Sequence, residues 1–425
     1  MIKKTMRILS VLTLLMLLCS CSFLPDSKLD SMYNENSQSS ITSGQTGNIQ
    51  NSGSDTVVIT REEYEQYRKF SEMFSIYNSA DVYFYQEPDK ERMVEYAIRG
   101  MMAGLGDPYS FYYTPEEYVD MMKEDEGKYV GIGILIQSNV KTQVCTIARV
   151  FEGGPSEEIG VQRGDILYRV GEDLYVTPAN LDEAVDIMRG IPGTDVDVTF
   201  LRNGEEITYT ITRREVNVNQ VASKMLTEDI GYIAFYEFAG EGEKEFEQAL
   251  NKLMDQGAKG IIIDLRDNLG GWVDQARYIA DLFMDEGELC YLKYRDGEEH
   301  ADEYRTKDGK VDVKLVILIN ENSASSSEIL TGALRDCVDA VTVGVTSFGK
   351  GIIQQLLPVG DKGAAFQITI AQYFTPKGYA VHGIGITPDY EVPLPEGDNG
   401  MYDFADTERD VQLKKAFEVM KEKLH

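Results

Sequence analysis

Two apolar segments in the second half of the chain constrain its fold most strongly. Residues 260–265 and 313–319 are almost wholly apolar. Such runs are typical of strands that are covered on both faces, because a strand with one face in water alternates apolar and polar residues. Patterns with helical periodicity at 242–256 and 272–284 accompany these strands. The sequence therefore predicts an α/β core with a mixed sheet at its centre.

The N-terminus carries the pattern of an export signal over residues 1–21, in which a basic start precedes an apolar run at 8–18. That run is short for a membrane span. The sequence LCSC at 18–21 resembles the cleavage box of a bacterial lipoprotein, so Cys21 is the predicted lipidation site. Simple secretion and an uncleaved anchor are the alternatives. We expect an extracytoplasmic protein, anchored to the outer face of a bacterial cell membrane.

Composition indicates a linker near the N-terminus and limits the kinds of molecule that the chain is expected to bind. Residues 22–58 are dominated by Ser, Asn, Gln, Gly and Asp, which predicts a flexible polar linker. A formal net charge of −30 argues against nucleic acid as a partner. Beyond the signal region, Cys145, Cys290 and Cys337 are scattered, odd in number and without metal-binding spacing. We expect three buried thiols and neither a disulfide framework nor a metal site.

Both ends of the folded part are predicted to be helical. Over residues 59–126, the clearest signal is Thr114 before Pro115, with Glu117 three positions later, which is typical of a capped helix start. No chemistry is visible in this N-terminal helical region. A second helix is predicted within the C-terminal segment 396–425.

Residues 127–216 have the sequence pattern of a small β-rich domain. Two strands are followed by a Gly-Pro turn, a third strand, a helix at 180–189 and a hairpin whose turn is Asn203-Gly204. This order resembles a PDZ domain. In particular, the run Gly131, Ile132, Gly133 and Ile134 matches the loop with which such domains bind a peptide carboxylate, since glycines let successive N–H groups converge on an anion. The alternative is that the glycines only weaken an edge strand or mark a β-bulge.

Ser325 is the first candidate catalytic residue, because it lies where the apolar strand 313–319 gives way to a helical pattern. A hydroxyl at the carboxyl end of a buried strand, next to helix N–H groups, can act as a nucleophile beside an oxyanion site. The same residue opens the capping-box sequence Ser-x-x-Glu, which ends at Glu328. The segment alone leaves both roles open.

Lys350 is the candidate base. It lies between two glycines in a turn, where Phe348, Ile352 and Ile353 can form an apolar wall that favours the neutral amine. A solvated turn lysine is the alternative. The chain has only three histidines, of which His382 is the natural rival base. A Ser-Lys dyad is a known variant of Ser-His-Asp chemistry.

Several motifs in series resemble the carboxyl-terminal processing (tail-specific) peptidase family over about residues 60–395. They are the runs 107–110, 264–271, 322–328, 347–354, 375–378 and 383–389. The resemblance implies a ClpP/crotonase-like protease core over 217–395 with an inserted PDZ-like domain and an N-terminal helical arm. It also implies that Ser325 is the nucleophile, that Lys350 is the general base and that Gln354 orients the lysine amine.

The same resemblance assigns an oxyanion hole to the backbone N–H groups of Ser326, Gly270 and Gly271. Two departures from the family pattern stand nearby: Ser326 replaces the usual alanine, and Asp267 and Leu269 vary the glycine-turn motif. The first concerns a backbone donor, so we expect the chemistry to survive. The second is expected to alter the entrance to the site.

The function implied is that of an exported serine endopeptidase. A PDZ domain would recognise the exposed C-terminal tail of a protein substrate, and the dyad would hydrolyse its peptide bonds without a metal or organic cofactor. A homo-oligomer built through the terminal helices is a further expectation by analogy. The alternatives are a catalytically silent PDZ adaptor and a Ser-His hydrolase that uses His382.

Overall fold

The computed structural model describes residues 58–425, apart from 126, 140–141, 296, 298, 301–303, 308–310, 399, 401 and 403. The predicted export signal, Cys21 and the predicted linker up to residue 57 lie outside the described residues. The chain divides into two compact units, 1–82 and 83–425. Within the described ranges, each helix is too short or too polar to span a bilayer.

The described part of the first unit consists of two consecutive helices, α1 (Arg61–Lys69) and α2 (Ser71–Tyr83). α1 begins with a capping box, because the Thr60 hydroxyl accepts from the Glu63 N–H at 3.2 Å and the Glu63 carboxylate accepts from the Thr60 N–H at 2.7 Å. Neither helix contains a buried residue. The large apolar side chains exposed by the two helices and by Phe70 between them are Tyr64, Tyr67, Phe70, Met73, Phe74, Ile76, Val82 and Tyr83.

The second unit opens with α3 (Lys90–Ala103), β1 (Phe111–Tyr113) and α4 (Pro115–Asp125). The predicted start of α4 is confirmed, because the Thr114 hydroxyl accepts from the Glu117 N–H at 3.2 Å. β1 differs from the expectation of a purely helical region. Its three aromatic residues favour an extended backbone, and they pair antiparallel with a core strand at Ala364–Phe374. Part of the predicted helical arm thus belongs to the core.

A β-rich segment follows, and Gly133 divides the single strand predicted near its start. The elements are β2 (Lys128–Gly131), β3 (Ile134–Asn139), β4 (Val144–Val150), α5 (Pro155–Glu158), β5 (Ile166–Val170), β6 (Leu174–Tyr175), α6 (Leu181–Met188), β7 (Asp195–Arg202), β8 (Glu205–Thr212) and β9 (Arg214–Asn217). Gly133 has φ +83°, a left-handed backbone that ends β2 before β3 begins. β2 then pairs with β9, whereas β3 joins the main sheet.

The main sheet of this segment has the order β3-β4-β5-β7-β8, with β6 on β5. β3 therefore lies at an edge, with one side free of a strand partner among the described residues. The predicted hairpin is confirmed: Arg202 pairs with Glu205 across Asn203 and Gly204, whose φ values of +54° and +83° are those of the expected turn. The sheet and α6 enclose a separate apolar core around Phe200.

The remaining residues form an α/β core. Its elements are β10 (Val221–Met225), β11 (Ile230–Phe235), α7 (Gly242–Asp255), β12 (Gly260–Asp264), α8 (Val273–Asp281), β13 (Gly287–Glu288), β14 (Tyr291–Tyr294), β15 (Glu299–His300), β16 (Arg305–Thr306), β17 (Lys314–Ile319), α9 (Ser326–Val338), β18 (Val341–Gly344), β19 (Ile352–Val359), β20 (Ala364–Phe374), β21 (Tyr390–Glu391) and α10 (Val411–Leu424).

The central sheet has the order β10-β11-β12-β17-β18-β21 and is parallel except for the β10–β11 pair. The predicted mixed sheet is confirmed. One face packs against α7, α8 and α9, with Ile263 and Ile317 in that layer. The opposite face packs against α10, with Ile262 and Val316 in that layer. Both faces of the central strands are covered, which explains their continuous apolar sequences.

A second, antiparallel sheet carries the order β1-β20-β14-β15, with β19 also paired to β20. A bulge interrupts the β19–β20 ladder, where Ile353 pairs with Ala371 but Gln354 pairs with Thr369. The bulge leaves Ile370 as the extra residue of β20. Such irregularities re-aim side chains near functional sites, and this one lies four residues after Lys350.

One sequence prediction was wrong in this part of the chain. Cys145 and Cys290 are buried as expected, but Cys337 is exposed. The continuously buried part of α9 ends at Leu334. Cys337 lies almost one turn further along the helix, on its outward side.

Candidate active site

Ser325 lies at a sharp turn between β17 and α9, with φ 54° and ψ −117°. An ordinary helix N-cap has an extended backbone, so this conformation is strained and needs support from its surroundings. A strained strand-to-helix turn is also the geometry that exposes a nucleophilic serine in other hydrolases. The backbone half of the predicted capping box is nevertheless present, because the Ser325 N–H donates to Glu328 Oε2 at 3.0 Å. The strained backbone favours the nucleophile over a simple cap.

The Gly270-Gly271 turn lies directly against this serine. Gly270 and Gly271 have φ +103° and +133°. A Cβ atom on Gly270 would lie 2.7 Å from Ser325 Cβ, and one on Gly271 would lie 2.2 Å from the Phe238 carbonyl oxygen. Both positions therefore require glycine, and their backbone approaches the reacting hydroxyl closely.

Three backbone N–H groups were predicted to bind an oxyanion, and the structure brings all three to this turn. The Gly270 N–H already donates to Asn268 Oδ1 at 2.9 Å, so it is committed within its own loop. Among the hydrogen bonds of the described residues, the N–H groups of Ser326 and Gly271 donate to no acceptor. These two are the available donors next to Ser325.

Both departures from the family pattern make hydrogen bonds. The Ser326 hydroxyl donates to the Gly271 carbonyl at 2.7 Å and ties the start of α9 to the glycine turn. Asp267 Oδ1 accepts from Asn320 and Asn322 at 2.9 and 2.8 Å. Leu269 is 68% exposed. Ser326 and Asp267 thus brace the loops, whereas Leu269 lies on the surface of the glycine turn.

Glu328 connects the two candidate catalytic residues. Its Oε2 atom accepts from the N–H groups of both Ser325 (3.0 Å) and Lys350 (2.8 Å). Its Oε1 atom accepts from the Ser347 hydroxyl (2.5 Å) and the Gly349 N–H (2.7 Å). Glu328 is 1% exposed. Burial raises the pKa of Glu328, and the four hydrogen bonds oppose that rise. One buried carboxyl group therefore fixes the serine turn relative to the lysine turn.

Lys350 itself is half-buried in the turn that precedes β19. Burial lowers the pKa of its amine, and the negative charges of Asp107 and Glu328 oppose that change. The amine lies 4.8 Å from the centre of the Tyr109 ring. A lysine with a lowered pKa is suited to act as a general base.

Gln354 does not make the predicted contact in this conformation. Within the described residues, its side chain donates to Thr369 Oγ1 at 3.2 Å and not to the Lys350 amine. A cleft of about 900 Å³ opens beside Gln354. Its apolar walls are Ile353, Ile368, Ile370, Tyr294 and Tyr304.

Sequence reasoning assigned no role to two residues of its motifs that support the site. The turn at 107–110 contacts Lys350 through Tyr109, although the region was expected to carry no chemistry. The largely buried Arg266, which begins the glycine-turn loop, binds Asp264 at 2.6 Å and Asp410 at 2.7 Å. Asp410 also caps α10. In both cases the sequence showed a polar residue within a motif of the family. Its binding partner lies more than a hundred residues away, so the contact could not be predicted.

His382, the rival base, is exposed, and its side chain takes part in none of the hydrogen bonds found for the described residues. Its main chain runs beside the lysine turn: a Cβ atom on Gly351 would lie 2.2 Å from the His382 nitrogen and 2.9 Å from the His382 Cβ atom. No group of three or more His, Cys, Asp or Glu side chains in the described ranges is arranged to hold a metal ion.

The predicted carboxylate-binding loop, residues 131–134, lies between β2 and the edge strand β3, and we call it the glycine loop. A Cβ atom on Gly131 would lie 2.7 Å from the Tyr129 ring. Burial raises the pKa of Tyr129 to about 12, and the polar backbone of Ile134 and Gly133 opposes the rise. The tyrosine ring thus packs against the glycine loop.

Comparisons with known proteins place the chain in a family. Residues 229–392 match the model of peptidase family S41, and residues 28–117 match that of the activating protease CtpB N-terminal domain. The carboxy-terminal-processing protease of Bartonella bacilliformis is 32% identical over 349 residues, which cover 80% of this chain and 79% of that protein. The carboxyl-terminal-processing protease of Synechocystis sp. is 34% identical over 348 residues, with 79% of each chain covered.

Solved structures agree with these relatives. The photosystem II D1 C-terminal processing protease superimposes with a TM-score of 0.51 at 26% identity, and the match covers 79% of this chain and 94% of that one. The chain belongs to peptidase family S41 and is a serine-type peptidase. Within that family it groups with the carboxyl-terminal processing proteases, which confirms the resemblance drawn from the motifs.

Proposed function

We propose that this peptidase is an exported endopeptidase that cleaves protein substrates with a Ser325–Lys350 dyad. One observation carries the assignment: a single oxygen of buried Glu328 binds the backbone N–H groups of both residues. The strained backbone of Ser325 and the lowered pKa of Lys350 support the same roles. The charge state that the mechanism needs is the neutral amine.

In the proposed reaction, the neutral Lys350 amine removes the Ser325 hydroxyl proton as the oxygen attacks the substrate carbonyl carbon. The peptide C–N bond then breaks, the lysine passes its proton to the leaving amine, and the acyl group stays on Ser325. Water attacks the ester with Lys350 again acting as base, which releases the acid and restores the serine.

The N–H groups of Ser326 and Gly271 are the proposed donors to the oxyanion, since both are uncommitted and adjoin Ser325. Gly270 supports them through its close backbone approach and its bond to Asn268. Gln354 would turn from Thr369 toward the lysine amine when substrate enters the neighbouring cleft. Isoleucines and tyrosines share the lining of that cleft with Arg295, Gln354, Gln355 and Thr369, so we expect it to accept both apolar and polar residues of an extended chain.

Substrate recognition is assigned to the β-rich segment, acting as a PDZ domain. The free edge of β3 can accept an added peptide strand, and the glycine loop beside it can bind the terminal carboxylate. The Tyr129 ring packs beside this loop, since a Cβ atom on Gly131 would lie 2.7 Å from it.

The peptide-binding proposal is tested with fluorescent peptides in the Ser325→Ala background, which removes cleavage. A peptide with a free carboxylate should bind and its C-terminal amide should bind at least tenfold more weakly, since the loop amides would lose an anionic partner. Equal binding of the two peptides would remove the carboxylate-binding role from the glycine loop.

Export, tethering through a lipid on Cys21 and self-association complete the proposal. The basic-apolar N-terminus supports export. The exposed apolar side chains of α1 and α2, such as Tyr67, Phe70 and Phe74, support contact with a second copy of the chain. Light scattering during size-exclusion chromatography would test the second point, and a monomer at all concentrations would contradict it.

The catalytic proposal is tested on casein with the full-length chain in detergent, by gel and by mass of the products. Ser325→Ala and Lys350→Ala should lose cleavage, and His382→Ala should keep it. Loss in His382→Ala together with retention in Lys350→Ala would instead favour a Ser-His hydrolase. A wild type that cleaves nothing could be blocked by its own β-rich segment, so residues 129–215 are then deleted. If cleavage is still absent, the silent adaptor is favoured.

A further inference from the structure

The turn formed by residues 107–110, which we call the Asp107 turn, is held against the lysine side of the site. Asp107 Oδ2 accepts from the hydroxyls of Ser110 at 2.5 Å and Thr369 at 2.6 Å. The Ser110 hydroxyl in turn accepts from the Thr369 N–H at 3.0 Å. Gln367 donates to the Tyr109 carbonyl at 3.2 Å, and β1 continues the attachment as a strand on β20. The hydrogen bonds to Gln367 and Thr369 join residues that are more than 250 positions apart in the sequence.

We propose that the Asp107 turn is part of the catalytic site, where Asp107 and Tyr109 act as positioning residues for Lys350 and Gln354. The inference rests on the proposed Ser-Lys mechanism and extends it. A dyad contained in the α/β core would not need a segment that precedes the β-rich insertion. The geometry makes that segment one wall of the site.

The first step of the argument concerns the charge of Lys350. Two carboxylates act on its amine: Glu328 from α9 and Asp107 from the turn. Both favour the protonated form, and the electron-rich face of the Tyr109 ring, 4.8 Å from the amine, favours it too. Burial acts in the opposite direction and is the larger effect. The turn therefore limits how far the lysine is neutralised and holds its amine over the ring.

The second step concerns Gln354. Thr369 Oγ1 accepts from Gln354 and donates to Asp107, so the amide, hydroxyl and carboxylate form one chain. The hydrogen bonds from Ser110, Thr369 and the Tyr109 N–H, with the charge of Lys350, lower the pKa of Asp107 against the opposing effect of burial. An ionised Asp107 accepts hydrogen bonds only. The Thr369 hydroxyl must therefore donate its hydrogen to Asp107, and the Thr369 oxygen is free to accept from the Gln354 amide.

The charge of Lys350 is measured directly by trace labelling with acetic anhydride, which reacts with the neutral amine, across a pH series in the full-length chain. Exposed Lys362 is the internal reference in the same sample. Asp107→Asn should raise Lys350 labelling relative to Lys362 and move its midpoint to lower pH, because a charge that favours the ammonium is lost. Asp120→Asn, on the exposed face of α4, should leave the ratio unchanged. An unchanged ratio in Asp107→Asn would overturn the inference.

Two matched pairs test the turn if Asp107→Asn folds poorly. Tyr109→Phe keeps the ring and should label like the wild type, whereas Tyr109→Leu should move the midpoint to lower pH. Thr369→Val should lower kcat on casein roughly tenfold, since misplacing a catalytic contact is costly, and Thr369→Ser should restore it. Equal behaviour within both pairs would overturn the positioning role.

Failure of the inference and failure of the proposed mechanism give different results. If Ser325→Ala and Lys350→Ala are inactive but the Asp107, Tyr109 and Thr369 variants match the wild type, the dyad stands and the turn is only structural. If Lys350→Ala retains cleavage, the dyad fails whatever the labelling shows.

Discussion

The serine–lysine centre and the glycine loop are built in opposite ways. Around Ser325 and Lys350, most polar groups are bound within the protein, and buried Glu328 alone accepts four hydrogen bonds. The glycine loop borders the open edge of β3, and a tyrosine ring, that of Tyr129, packs against it. A centre that must hold reacting atoms in place requires rigid support. A loop that must accept a peptide needs contacts that can be exchanged.

Removal of Glu328 should give the largest effect on the rigid side of this comparison. Glu328→Ala removes the acceptor of the buried Gly349 N–H and of the half-buried Ser325 and Lys350 N–H groups, and a buried N–H without an acceptor costs about 1–3 kcal/mol of stability. We expect a loss of roughly a thousandfold or more in kcat, with a lower melting temperature. Casein cleavage and thermal unfolding measure the two effects. Glu321→Gln, in the adjacent exposed loop, is the control and should resemble the wild type.

Asp410→Asn should come next, because it weakens a buried ion pair far from the chemistry. Arg266 would keep Asp264 but lose a charged partner, and breaking such a pair destabilises by about 3–5 kcal/mol. The glycine turn should then be displaced, and kcat should fall about tenfold to a hundredfold. Glu408→Gln, exposed in the same segment, is the matched control. Wild-type activity in Asp410→Asn would show that the helix α10 does not brace the turn.

The pH dependence of activity sharpens the comparison further. The active form of Lys350 is the neutral amine, so kcat should rise with pH. Since burial lowers the pKa of Lys350, the midpoint should lie below that of an ordinary lysine, about 10.4. Binding of a tail peptide to the Ser325→Ala variant should not follow this profile. A rate that falls over the same alkaline range would contradict a lysine base.

In the glycine loop, Gly133→Ala should weaken substrate binding and leave the catalytic step unchanged. Alanine is strained at φ +83°, and its Cβ would lie 3.2 Å from Gly154 and Pro155. We expect KM for protein substrates to rise about tenfold with kcat nearly unchanged, since uniform binding is lost. Gly204→Ala is a matched control, because Gly204 has the same φ but open space around it. An equal rise in both variants would point to general strain.

The smallest effect is expected from Ser326→Ala. The proposed oxyanion donor is the backbone N–H, which alanine retains, and only the 2.7 Å bond to the Gly271 carbonyl is lost. A net contribution of about 1 kcal/mol for such a bond corresponds to roughly a fivefold change at most. A loss of a hundredfold would mean that the hydroxyl itself takes part in catalysis.

Local patterns in the sequence predicted the elements of the fold well. Apolar runs located β12 and β17, and turn residues located the β7–β8 hairpin, because these features depend on neighbours in sequence. The contacts that complete the site could not be predicted in the same way. Asp107 meets Thr369 and Arg266 meets Asp410 only after the sheets have assembled. Exposure of Cys337 likewise depends on where α9 leaves the core.

The most direct test of the central claim is to trap the acyl-enzyme. The full-length chain would be mixed with an activated peptide ester, quenched in acid and digested, and the acyl group would be located by mass spectrometry. We predict an adduct on Ser325 in the wild type, lost in Ser325→Ala, with its formation strongly slowed in Lys350→Ala and unchanged in His382→Ala. An adduct on another residue, or normal acylation in Lys350→Ala, would contradict the Ser325–Lys350 mechanism.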